Sequence, residues 1–89
     1  MAIKAPKNPF HPGEILLEEF IIPNEWTHTY VAEQLGWTKA KLSELINKKR
    51  GITAETALDL SELLGTTAKL WMSFQATYDL DKAKKKRTA

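Results

Sequence analysis

Eighty-nine residues, 43% of them apolar, suffice for one domain with a modest core and leave no room for a deep active site beside it. Cysteine is absent, which excludes a disulfide framework and a thiolate zinc site, and no long apolar run suggests a signal peptide or a membrane span. The net charge of +2 hides its distribution, because the last eight residues carry five cations (Lys82, Lys84, Lys85, Lys86, Arg87) and leave eight basic against eleven acidic residues elsewhere, about −3.

Apolar residues recur in threes and fours with almost no alternating β-branched runs, so the chain is expected to be all-α, a compact five-helix domain with short flexible termini. Residues 1–9 hold two prolines, two lysines and few apolar anchors, and read as a mobile arm ahead of a folded unit at 10–81. A first helix is expected from Pro12, a residue suited to an early helical position, to Phe20 or Ile21, with Ile15, Leu16, Glu19 and Phe20 facing inward. Pro23 stops it. Thr27 caps a second helix ending at Gly36, Thr38 caps a third over about 39–46, and residues 48–51 form a loop. Thr53 caps a fourth helix, with Ala57, Leu58, Leu60, Leu63 and Leu64 inward and Gly65 at its end. A fifth starts near Thr67, with Leu70, Trp71, Phe74 and Tyr78 on one broad face. Residues 82–89 lack apolar anchors and read as a basic tail, frayed or disordered, that is either solvated or in non-specific contact with DNA.

The most informative stretch is 27–47. Val31, Ala32 and Leu35 form one apolar stripe, and Leu42, Leu45 and Ile46 a second; Gly36 between them can take the left-handed conformation that ends a helix. Ala32 is small where two crossing helices would meet. This is the pattern of a helix-turn-helix, whose second helix lies in the major groove of DNA. Basic residues gather here, at Lys39, Lys41 and Lys48-Lys49-Arg50, whereas acids cluster at Glu14, Glu18, Glu19 and Glu25 and again at Asp59, Glu62, Asp79 and Asp81. An acidic body with one basic edge suits one DNA-facing side and a different partner elsewhere.

Three blocks carry a family likeness: His11-Pro12-Gly13-Glu14-Ile15-Leu16 with Glu18-Glu19-Phe20; Gly51-Ile52-Thr53-Ala54-Glu55-Thr56-Ala57-Leu58; and Trp71-Met72-Ser73-Phe74-Gln75 with Tyr78-Asp79-Leu80. Together they resemble the HigA antitoxins of type II toxin–antitoxin systems, within the Xre or Cro/repressor-type helix-turn-helix group, over roughly residues 9–81. The resemblance implies a lambda-repressor-like, five-helix DNA-binding dimer of the bacterial cytoplasm that neutralises a RelE-type mRNA-cleaving toxin and represses its own operon. Three positions depart from the pattern: His28 stands where the group often has Gln, Lys48-Lys49-Arg50 where it usually reads Gly-Lys-Arg, and Ala68 where Pro is common. With Lys48 in place of Gly, Asn47 is expected to take the left-handed position.

If Leu42, Leu45 and Ile46 face the core, Lys39, Ala40, Ser43 and Asn47 form the outer, base-reading face: lysine for guanine O6 or N7, serine for several base edges, alanine for a thymine methyl. Thr38 and Lys41, Thr27 and His28 at the two helix starts, and Lys49 and Arg50 after the third helix are expected at phosphates. Arg50 could instead form an internal ion pair with Glu14 or Glu55. Trp71 is expected in the core, and Phe74, Tyr78 and Leu80 at a two-fold interface, since one helix reads only a few base pairs and two half-sites multiply affinity. Trp26 and Trp37 should pack over helix ends, with Trp37 alternatively flanking the DNA backbone. His11 and His28 lie far apart and Glu18 and Glu19 point different ways, so neither a metal site, nor a cofactor, nor catalysis is expected. A stand-alone regulator with no toxin, and an interaction module that no longer binds DNA, remain the other readings.

Overall fold

The computed structural model describes residues 11–88; the expected N-terminal arm lies outside them. Among the described residues there are five α-helices and no strand: α1 (Pro12–Leu16), α2 (His28–Leu35), α3 (Lys39–Ile46), α4 (Ala54–Leu64) and α5 (Ala68–Thr88). The first helix begins at a histidine cap. His11 Nδ1 accepts the Gly13 N–H at 3.0 Å, and Pro12 occupies the position where a missing N–H costs nothing.

α1 does not run on as a regular helix. Leu17–Ile21 form a π turn in which the Ile22 N–H donates to the Leu17 carbonyl, five residues back, at 2.9 Å. The extra residue brings Ile21 into the core, while Glu19 and Phe20, expected to face inward, are only half-buried and Ile22 is 54% exposed. Asn24 and Glu25 then turn the chain, Glu25 at φ 55° and Asn24 Nδ2 donating to the Phe20 carbonyl at 2.7 Å.

The turn between α2 and α3 follows from its residues. Gly36 adopts φ 72°, and the Trp37 N–H reaches back to the Ala32 carbonyl at 2.9 Å, satisfying the open end of α2. Thr27 and Thr38 accept the N–H groups of Tyr30 and Lys41, capping α2 and α3. Val31, Ala32, Leu35, Leu42, Leu45 and Ile46 are buried together with Ile15, Leu16, Ile21, Ile52, Ala57, Leu60 and Trp71 in one core. Trp71, wholly buried as expected, packs at a tilt against Phe20 and edge-on to Phe74 at ring distances of 5.8 and 5.5 Å, and its Nε1–H donates to Thr66 Oγ1 at 2.8 Å.

α1 crosses the end of α3 in direct backbone contact. A Cβ at Gly13 would lie 1.8 Å from the Leu45 carbonyl oxygen, so only glycine permits this approach. Glu14 then pairs with Lys48 just beyond α3. Farther on, Gln75 of α5 accepts the Ile52 N–H at 2.7 Å and holds the start of α4.

Further expectations are corrected. The left-handed residue after α3 is Lys48 (φ 65°), not Asn47 (φ −89°): the Asn47 amide instead donates to the Ser43 carbonyl and Oγ at 2.9 and 3.1 Å, and the Lys49 N–H returns to the Glu44 carbonyl at 2.8 Å. Leu58 is 56% exposed, because Thr56, Ala57 and Leu60 already fill the inward face of α4; Leu70 is also exposed. Finally, α5 stays helical through residue 88 instead of fraying at 82. Lysine, alanine and arginine are good helix formers, and cations in the last turn complement the helix dipole, so no apolar partner is needed for this extension.

Candidate nucleic-acid interface

Exposure divides α3 into two faces. Leu42 and Leu45 are fully buried and Ile46 nearly so, whereas Lys39, Ala40, Ser43 and Asn47 are all exposed. Those four residues run along about 12 Å of helix, comparable with the width of the major groove. Within this face Ser43 and Asn47 are linked by the amide hydrogen bonds above, which leave the Asn47 Oδ1 oxygen as an acceptor and the Ser43 hydroxyl proton as a donor.

Thr27, His28 and Thr38 are exposed at the starts of α2 and α3. Both threonine oxygens already accept a backbone N–H, and each hydroxyl keeps a proton to give to a phosphate. Lys41 behaves differently from its neighbours. Its Nζ sits 4.5 Å from the centre of the Trp37 ring, which draws the cation toward the α2–α3 turn. Trp37 is half-buried, and its Nε1–H donates to Asp59 Oδ2 at 2.9 Å, tying that turn to α4. Trp26 is likewise half-buried over the start of α2, 5.8 Å from the Tyr30 ring.

The basic loop after α3 is internally paired. Lys48 meets Glu14, whose hydrogen bond raises the lysine pKa above its ordinary value. Arg50 donates through Nε and Nη2 to Glu44 Oε1 at 3.0 and 2.7 Å, so its acid is Glu44 rather than Glu14 or Glu55. Among the described residues no acid pairs with Lys49.

Of the residues expected at a two-fold interface, Leu80 is 60% exposed, while Phe74 and Tyr78 are half-buried within the chain, Phe74 on Trp71 and Tyr78 edge-on to His11 at 4.8 Å. His11, Asp59 and Gln75 position the site in roles the sequence reading did not assign, because each acts through a polar contact with a backbone N–H or with a residue distant in sequence. Among the described residues no group of three or more His, Cys, Asp or Glu side chains could hold a metal ion, and no helix is long and apolar enough to cross a membrane.

Comparison with known proteins places this geometry. A family model described as helix-turn-helix matches residues 17–71. Virulence-associated protein I of Dichelobacter nodosus is 40% identical over 86 residues, covering 93% of this chain and 80% of that protein. The structure of an addiction-module antidote protein of the HigA family from Coxiella burnetii superposes with a TM-score of 0.84 at 38% identity, over 89% of this chain and 86% of that one. The Pseudomonas aeruginosa antitoxin HigA, solved with the higBA promoter, gives a TM-score of 0.82 at 33% identity, over 85% of this chain and 83% of that one.

Proposed function

The chain belongs to the helix-turn-helix family, and on that premise we propose that it is an operator-binding antitoxin, which represses its own operon as a homodimer and neutralises an mRNA-cleaving toxin of the RelE type. The observation that carries the DNA half of this reading is the division of α3, with its apolar residues in the core and Lys39, Ala40, Ser43 and Asn47 exposed side by side. A HigA antitoxin of the same fold was solved with promoter DNA, which supports assigning that face to bases. In this reading Lys39 donates to guanine, Ser43 and Asn47 contact neighbouring base edges, and Ala40 meets a thymine methyl. Thr27, His28, Thr38, Lys41 and Lys49 hold the flanking phosphates and fix the register of the helix in the groove, and Arg50 joins them only on leaving Glu44. The protein works in the bacterial cytoplasm, where operator and toxin are found.

The toxin half rests on the likeness to HigA-family antidote proteins. Two assays in cells separate the halves. A reporter driven by the promoter upstream of this gene should be repressed by the wild type and released by Lys39→Ala with Ser43→Ala. Growth arrest by the product of an adjacent small reading frame should be relieved by co-expression of this chain, including the double variant. Repression without rescue would leave a stand-alone regulator; rescue without repression would leave an interaction module.

A further inference from the structure

The loop after α3 reads as three consecutive cations, yet the fold pairs two of them. Lys48 is held by Glu14, from the first helix, and Arg50 by Glu44, from the inner turns of α3 itself. The two acids reach the loop from different elements, so the pairing is not an accident of one helical repeat. The left-handed backbone at Lys48 directs that side chain back toward α1, and Arg50 offers two N–H groups to a single carboxylate oxygen. Only Lys49 is left without an acid among the described residues.

We propose that Glu14 and Glu44 are affinity-setting residues of the DNA-binding surface, each withholding one loop cation from phosphate and so lowering sequence-independent binding to duplex DNA. The proposal rests on the DNA-binding reading above. Its physical content is a count. Sequence-independent affinity and its salt dependence both follow the number of phosphates a protein neutralises, with log K falling by about 0.9 per phosphate for each unit of log salt. A cation that must first leave a carboxylate contributes less, and exposed pairs of this kind hold their cations by small but measurable amounts.

The test is a set of anisotropy titrations of full-length protein against a scrambled duplex and the duplex upstream of the gene, across a series of salt concentrations. Glu14→Gln and Glu44→Gln should each tighten scrambled-duplex binding by about two- to fivefold and steepen the salt slope by about one. Glu55→Gln removes an exposed acid next to the loop that holds no cation among the described residues, and should change the slope far less. Lys48→Gln should leave scrambled-duplex binding within about twofold of wild type, whereas Lys49→Gln should flatten the slope by about one. Circular dichroism confirms that each variant is folded; Lys48→Gln and Glu44→Gln keep the test open should Glu14→Gln disturb α1. Slopes for Glu14→Gln and Glu44→Gln equal to that of Glu55→Gln, or a Lys48→Gln loss equal to that of Lys49→Gln, would overturn the proposal while the wild type's preference for its own duplex stands. A wild type that binds neither duplex would overturn the DNA-binding reading itself.

Discussion

Gly13 and His11 show how much of the site is set by single residues that make no contact with a ligand. Because a Cβ at Gly13 would sit inside van der Waals contact with the Leu45 backbone, Gly13→Ala must push α1 away from the end of α3. A loss of about 3 kcal/mol in urea unfolding is expected, at the upper end for overpacking since backbone cannot yield as a side chain does. His11 is buried with Nδ1 accepting the Gly13 N–H, a role open only to the neutral ring. Burial holds its pKa below the usual 6.5, with Lys48 and Lys82 pushing the same way and Glu14 and Asp79 opposing. The unfolded chain therefore takes up the proton first. The stabilisation from His11 is complete above about pH 6.5 and is lost as pH falls from there through the lowered folded value. Urea midpoints should drop between pH 7.5 and 5.5, and His11→Asn, which keeps a capping acceptor and cannot titrate there, should flatten that drop. The sequence displayed Gly13 and His11 only as members of a motif; their contacts with α3 and Tyr78 cross more than 30 and 60 residues, a distance no local pattern encodes.

At the scale of elements, what the sequence made legible is what neighbouring residues decide. The Thr38 cap, the Gly36 left-handed turn and the apolar spacing of 42, 45 and 46 define α3 from within eleven residues, and the structure has α3 at Lys39–Ile46. The π turn and the extension of α5 were not legible: the first depends on which of Phe20 and Ile21 the core admits, the second on helix propensity where the sequence offers no large apolar residue. The same logic makes Ala32 the sensitive point of the helix pair. It is 2% exposed where α2 meets α3, so Ala32→Leu should cost about 1–3 kcal/mol in stability. At temperatures where the variant is fully folded it should still bind the operator more weakly, because the two helices can accommodate leucine only by separating. Unfolding curves beside operator titrations read the two effects apart.

The whole molecule joins the short helix pair α2–α3 to a long basic helix, α5. α5 carries both the core residue Trp71 and, farther on, the 60%-exposed Leu80, so it leaves the body with an apolar side chain uncovered. A dimer through α5 would cover it, and Leu80→Glu should shift the protein toward monomer in sedimentation velocity and weaken operator binding with little change in the unfolding midpoint. Phe74 and Tyr78 are poorer probes, since Trp71 and His11 hold them within one chain. Without its last eight residues the chain counts to about −3, which taken alone argues against DNA; the geometry of one face argues for it, and the pairing of Lys48 and Arg50 fits a weakly basic protein that binds selectively rather than strongly to any duplex.

Base reading by the exposed face of α3 is open to direct measurement. Fluorescence anisotropy of the purified protein against the duplex upstream of its gene, with a scrambled duplex and the Lys39→Ala, Ser43→Ala variant in parallel, tests it most directly. Binding to the native duplex should be at least about a thousandfold tighter than to the scrambled one, with most of that preference lost in the variant. Equal, salt-sensitive binding to both duplexes, or a preference that survives the double substitution, would contradict it.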